Sequence, residues 1–183
     1  MGIDKDIIEL VNNSEKECLE EFNKIDEICF YNSQKVLDSF HKNEVTESCF
    51  NETTGYGYND LGRETIEKIF RDILNAEDAL VRGQCISGSH ALNVCFFALL
   101  RPNDLLLSIT GKPYDTLDEV IGVVDNPSSL KAWGVKYEHV ELKDGKFDIP
   151  SIIERVSKND IKLIICQRSR GYLYRDAFTI EDD

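Results

Sequence analysis

From residue 79 onward, short apolar runs alternate with stretches of helical spacing, and this alternation restricts the fold more than any other feature. Extended pieces are expected at 79–82 and 84–86, then a helix at 90–100 that Arg101-Pro102-Asn103-Asp104 ends. LLLSI at 105–109 reads as a strand, 116–121 as a short helix and 135–140 as a strand. A helix at 150–156 follows, then IKLIIC at 161–166 as a fully buried strand. Apolar strands of this length separated by helices mark βαβ units, so the expected class is α/β, with a mainly parallel sheet and flanking helices. No segment repeats along the chain.

The first part of the chain follows a different rule. Ile7, Ile8, Val11, Cys18, Leu19, Phe22, Ile25, Ile28, Cys29, Val36, Leu37 and Phe40 recur at gaps of three and four, with no proline among them. Asn12-Asn13-Ser14 is expected to separate a short helix from a longer one, with Ser14 as N-cap and Glu17 completing a capping box. Residues 1–48 thus read as an N-terminal helical arm whose apolar face needs a partner surface, on its own domain or on a second subunit. Residues 49–183 read as the α/β domain. Within 43–60 periodicity is lost, and TTGYGYND, with glycines beside its tyrosines, reads as an ordered loop. Ile66, Ile69, Phe70 and Ile73 restore helical spacing over 62–74. Thr179-Ile180-Glu181-Asp182-Asp183 has the composition of a helix start, a threonine cap followed by acids, so the domain is expected to continue past it.

Charge narrows the partners. Twenty-one basic against thirty-four acidic residues give a net charge of -13, a surface that nucleic-acid phosphates would repel. No stretch approaches the roughly 18 apolar residues of a membrane span. MGIDKDIIEL lacks the apolar core of a signal peptide, and Asp6 stands where N-myristoylation wants Ser or Thr. A cytoplasmic location is therefore expected. Cys18, Cys29, Cys49, Cys85, Cys95 and Cys166 form no CxxC pair and read as buried thiols, with no metal site.

In open α/β sheets ligands gather at the carboxyl ends of the strands, and three segments bring polar groups there. Ser87-Gly88-Ser89-His90 opens a helix whose first N–H groups lack intrahelical partners; with the helix dipole they suit an anion, a phosphate or a carboxylate. The simplest alternative is that Ser89 merely caps the helix. Thr110-Gly111-Lys112-Pro113-Tyr114-Asp115-Thr116 follows LLLSI with an aromatic ring and several donors. Gln167-Arg168-Ser169-Arg170-Gly171-Tyr172 follows IKLIIC with two arginines, whose guanidinium fork pairs with carboxylate or phosphate, or equally with surface acids. Neither a Walker motif nor GxGxxG is present. His41 and His139 read as surface residues.

Three ordered segments, GYGYNDLGRETIEKIFRDILNAEDALVR, QCISGSHALNVCFFALLRPNDLLLSITGKPYDTLDEVIG and ICQRSRGY, resemble the aluminium resistance protein family. That family is also described as methionine gamma-lyase or cystathionine beta-lyase-like. The resemblance runs nearly end to end and implies part of a fold-type I large domain that binds pyridoxal 5'-phosphate. It implies that Ser87, Gly88, Ser89 and His90 hold the cofactor phosphate and that Tyr114 stacks on the pyridine ring. Tyr56 or Tyr58, with Arg63, would reach the cofactor of a neighbouring subunit. The wider superfamily carries Tyr-x-Arg there, where this chain has Tyr58, Asn59 and Asp60, and Arg63 is the substitute. Gln167, Arg168, Ser169 and Arg170 would lie near the ring or the substrate carboxylate.

Such an enzyme needs a Schiff-base lysine and an acid for the pyridine nitrogen. In the family both lie beyond the residues matched here, and Lys112 sits where the family has no such lysine. The implied function is the N-terminal portion of a carbon–sulfur lyase acting on sulfur-containing amino acids, homo-oligomeric when intact and inactive by itself. Two other readings stay open: a non-catalytic partner of a second chain that supplies the lysine, and a module that binds phosphate metabolites.

Overall fold

The computed structural model describes residues 2–53, 55–56, 58 and 60–179, and the chain divides into two compact units, Met1–Gly83 and Gln84–Asp183. The helix start expected over 179–183 lies outside the described residues except for Thr179.

The first unit opens with one continuous helix, α1 (Lys5–Lys42), capped by the Asp4 carboxylate, which accepts from the Asp6 amide. The break expected at Asn12-Asn13-Ser14 does not occur. Ser14 caps nothing: its hydroxyl donates back to the Leu10 carbonyl at 2.9 Å, satisfied inside the helix. Asn and Ser each cost only a few tenths of a kcal/mol in a helix interior, less than nucleating a second helix. A 3-10 turn (Glu47–Phe50) leads to α2 (Leu61–Leu74), capped by Asp60 through the Arg63 amide and closed by Asn75 in the left-handed region. The end of α1 is tied to α2 through Asp72, which receives Lys42 Nζ at 3.0 Å and Asn43 Nδ2 at 2.9 Å. Those partners, Asn43 first, hold the Asp72 carboxyl below its ordinary range. Gly62 is required by close approach, since a Cβ there would run into the Cys49 carbonyl oxygen. Residues 79–86, expected to be extended, run without strand pairing through a turn at Gly83 and Gln84.

The second unit is α/β, as the alternation requires. Its elements are α3 (Gly88–Leu99), β1 (Leu105–Ser108), α4 (Asp118–Ile121) behind a 3-10 turn (Asp115–Leu117), β2 (Lys136–His139), α5 (Ile149–Val156) and β3 (Leu163–Ile165). The sheet is wholly parallel in the order β2-β1-β3, with Leu106 opposite Tyr137 on one side and Leu163 on the other. Phe96, Leu100, Leu106, Leu117, Ile121, Leu130 and Val135 form its core.

Two expectations on burial fail. IKLIIC is not fully buried: Ile164 is 45% exposed, because β3 pairs with β1 alone and no further strand lies against its other edge among the described residues. The cysteines are not buried thiols either. Cys18, Cys29, Cys95 and Cys166 are exposed and Cys49 and Cys85 half-buried, Cys49 with its Sγ 3.9 Å from the Thr65 hydroxyl of α2. His41 and His139 are exposed, as expected.

Candidate functional site

All three strands point the same way, so the turns that follow β1 and β3 leave from one end of the sheet. Just past the strands, the Ile109 amide donates to the Ile165 carbonyl at 3.1 Å and the Gly111 amide to the Val140 carbonyl at 2.8 Å. The buried Ser108 hydroxyl closes the turn after β1 by donating to the Gly111 carbonyl at 2.6 Å. Gly111 lies at φ +75°, where a side chain is strained, and a Cβ there would meet Glu141 Oε2 at 2.9 Å. Helix α3 runs into the start of β1, which puts its N-terminus at the opposite, carboxyl end. The Ser89 and Thr116 hydroxyls share a hydrogen bond of 3.0 Å and so join the helix start to the loop after β1.

At that helix start the cap is Ser87, not Ser89. Ser87 is extended, its hydroxyl accepts from the His90 amide at 3.0 Å and its carbonyl from the Ala91 amide at 3.0 Å. Ser89 is left inside the first turn with its hydroxyl on Thr116. The His90 ring folds back, Nδ1 accepting from the Ile86 amide at 3.4 Å. A Cβ on Gly88 would meet nothing within 4 Å, so the space over the helix start is open. Neutral donors, unpaired first-turn amides and open space at the positive end of a twelve-residue helix fit a phosphate group.

Tyr114 and Gln167 meet across 53 residues of sequence: the Tyr114 amide donates to Gln167 Oε1 at 2.7 Å. The Gln167 amide donates in turn to Thr110 Oγ1 at 3.1 Å, and its side-chain amide to the Ser169 carbonyl at 3.1 Å. A cleft of about 290 Å³ lies here, walled by Tyr114, Lys112, Glu141, Gln167, Arg170 and Tyr172 among others. Tyr114 and Tyr172 stack with centroids 5.7 Å apart, and the hydrogen bond that the Tyr114 hydroxyl gives to Tyr172, aided by burial, raises the Tyr114 hydroxyl's pKa. Lys112 is not a free amine, since its Nζ pairs with Asp118 Oδ2 at 2.6 Å.

Of the residues expected after β3, Arg170 reaches the cleft and Ser169 is exposed beside it, while Arg168 is half-buried and gives its carbonyl to the Phe178 amide at 3.1 Å. Sequence reasoning missed two residues. Glu141 enters the cleft wall from beyond β2, with the His139 ring 2.9 Å from its carboxylate. Arg175 buckles the segment by donating to the Gln167 carbonyl at 3.2 Å and the Ser169 carbonyl at 2.9 Å, with its guanidinium 4.5 Å over the Phe178 ring. Neither carries a local signal, because both act through contacts that only the folded segment creates.

In the first unit, Tyr56 and Tyr58 are 82% and 83% exposed. Arg63 turns into its own loop, with Nε 3.1 Å from Asp60 Oδ2 and Nη2 donating to the Gly55 carbonyl at 3.3 Å. Asn59 lies outside the described residues. No group of three His, Cys, Asp or Glu is placed to hold a metal among the described residues, and none of their helices is long and apolar enough to cross a membrane.

The chain as a whole is similar in sequence and fold to known proteins. A model of the family described as methionine gamma-lyase matches residues 7–183. The uncharacterized protein YnbB of Bacillus subtilis (strain 168) is 45% identical over 162 residues, 87% of this chain and 38% of that protein. A protein of Clostridium acetobutylicum, named as a candidate cystathionine beta-lyase involved in aluminum resistance, superposes with a TM-score of 0.92 at 43% identity, covering 98% of this chain and 43% of that one. A Clostridium novyi NT carbon-sulfur lyase involved in aluminum resistance superposes at 0.90 with 35% identity and the same coverage. The chain thus spans about two fifths of the length of these relatives.

Proposed function

This chain belongs to the methionine gamma-lyase family, and from that premise we propose that it carries the phosphate-holding and ring-stacking part of a carbon–sulfur lyase that uses pyridoxal 5'-phosphate. The observation that carries this reading is the Ser89–Thr116 hydrogen bond, with the Tyr114–Gln167 hydrogen bond beside it: together they set an anion-binding helix start next to an aromatic platform. On this reading residues 1–48 are a helical arm and 49–183 belong to a fold-type I cofactor domain in a cytoplasmic homo-oligomer. When bound, the cofactor supplies an electron sink that labilises the bonds at an amino acid's α-carbon.

The chain's own residues bind and orient. Ser87 fixes the helix start, and the amides of Gly88 and Ser89, the Ser89 and Thr116 hydroxyls and His90 surround the phosphate. The loop after β1, braced by Ser108 and Gln167, presents the Tyr114 ring. Arg170, with Gln167 and Ser169, faces the carboxylate of a sulfur-containing amino acid across the cleft, and Arg175 holds that segment by its carbonyls. The exposure of Tyr56 and Tyr58 suits contact with a neighbouring subunit. Lys112 is engaged by Asp118 and is not read as the Schiff-base lysine; on this reading that lysine and the pyridine-nitrogen acid belong to the part of the relatives' length that this chain does not span, and the chain by itself does not turn over substrate.

Equilibrium dialysis of the 183-residue chain against pyridoxal 5'-phosphate tests both parts. Binding that Gly88→Val weakens at least tenfold is expected, with no lysine labelled after borohydride reduction in the peptide mass map. Binding indifferent to Gly88→Val removes the cradle, and a labelled Lys112 removes the assignment of the lysine elsewhere.

A further inference from the structure

Tyr114 is not a bare platform. Tyr172 is stacked on it at 5.7 Å with the rings 29° from parallel, and both line the same cleft. The turn that delivers Tyr172 is shaped for this. Gly171 lies at φ +57°, and a Cβ there would stand 2.7 Å from Tyr114 Cδ2 and 2.9 Å from Cε2, so a bare backbone lies against the ring edge. Arg175 and the Gln167 side chain hold the Ser169 carbonyl two residues before that glycine, which fixes where the turn begins. Tyr172 itself is 84% exposed, so its stack on Tyr114 accounts for much of what it touches and owes little to the core.

A planar ring that lies on this face of Tyr114 must displace Tyr172, because two rings cannot share one stacking distance. We infer that Tyr172 is a specificity-determining competitor: it sets how tightly the cleft takes a planar ring and leaves affinity for the phosphate group unchanged. The inference rests on the proposed ring-stacking role of Tyr114, and it makes Tyr172 an opponent of ring binding rather than a second binding wall. Removal of the competing ring releases the worth of one aromatic pair, a gain of roughly three- to tenfold in affinity.

The test compares the wild-type chain with Tyr172→Ser and Tyr172→Phe, using calorimetric binding of three probes: pyridoxal 5'-phosphate, pyridoxine and inorganic phosphate. Tyr172 is surface-exposed, and circular dichroism confirms that the variants fold. The expected result is tighter binding of both ring-bearing probes to Tyr172→Ser by that factor, unchanged phosphate binding, and a smaller gain for Tyr172→Phe, which keeps the stacked ring and loses only its hydroxyl contact with Tyr114. Weaker ring binding by Tyr172→Ser overturns the inference, because Tyr172 would then be part of the ring site. An equal change for all three probes overturns it too, as would ring probes that bind no variant. Tighter pyridoxine binding to Tyr172→Ser with no phosphate binding anywhere upholds the inference while removing the phosphate cradle of the proposed function.

Discussion

β1 and β3 are written in nearly the same alphabet, LLLS against LII, yet they lie in opposite surroundings. Leu106, Leu107 and Ser108 of β1 are fully buried, whereas Ile164 of β3 is 45% exposed. The difference comes from neighbours and not from side chains: among the described residues β1 has a strand on each side and β3 has one. Apolar composition makes a segment a strand of a parallel sheet, and its position in the sheet decides how much energy its side chains return.

The largest expected effect lies on the buried strand. Leu106→Ala should cost about 2–5 kcal/mol, the range for deleting a buried leucine without collapse of the cavity. Urea unfolding followed by Trp133, which stacks on Phe97 at 5.0 Å within the second unit, reports it. A loss under 1 kcal/mol would mean that β1 is not the centre of the core. Next in size is Ser108→Ala, which leaves the Gly111 carbonyl without its buried donor and should cost about 1–3 kcal/mol by the same assay. A neutral result would show water replacing the hydroxyl.

The other edge strand, β2, gives a smaller, pH-dependent signal. Burial, with the nearby charges of Asp118 and Glu141, pushes Tyr137 up to about 12. A folded-state pKa raised above the unfolded value means stability that is present below about 10 and lost as pH rises toward about 12, because the unfolded tyrosine ionises first. Tyr137→Phe should remove that alkaline slope; a slope unchanged in the variant would assign it elsewhere. Smallest of all is Ile164→Lys on β3, expected within about 0.5 kcal/mol of the parent, as for an exposed site. A loss comparable to Leu106→Ala would erase the contrast between the two strands.

Much of this was legible beforehand. Runs such as LLLSI and the spacing of Ile66, Ile69, Phe70 and Ile73 carry their own periodicity, so the α/β class and, from α3 onward, element order and parallel sense followed from local pattern, while the expected break in α1 and the extended pieces at 79–86 did not form. Ser87–His90 were legible because they precede a helix-length apolar run, and Tyr114 and Gln167 because they follow strand-length ones. What escaped was non-local. Whether Ser14 caps or bonds backward depends on the continuity of α1, and the exposure of Ile164 and Cys95 depends on what packs outside them. Glu141 and Arg175 matter only through turns that the folded segments form. Ser89 was read as a possible cap from its place before an apolar run, but backbone geometry gave that role to Ser87.

The hydroxyl pair between Ser89 and Thr116 has a property that no charged clamp shares. Either oxygen can donate, because each hydroxyl carries one proton and two lone pairs. A phosphate approaching from the helix side can draw a donor from Ser89 while Thr116 turns to donate behind it. A singly protonated phosphate, which offers a proton of its own, is met by the reverse arrangement. The joint between helix and loop can therefore serve either protonation state of a phosphate without moving a heavy atom. Ser89→Ala and Thr116→Val would each remove that reversibility while leaving the helix cap on Ser87 in place.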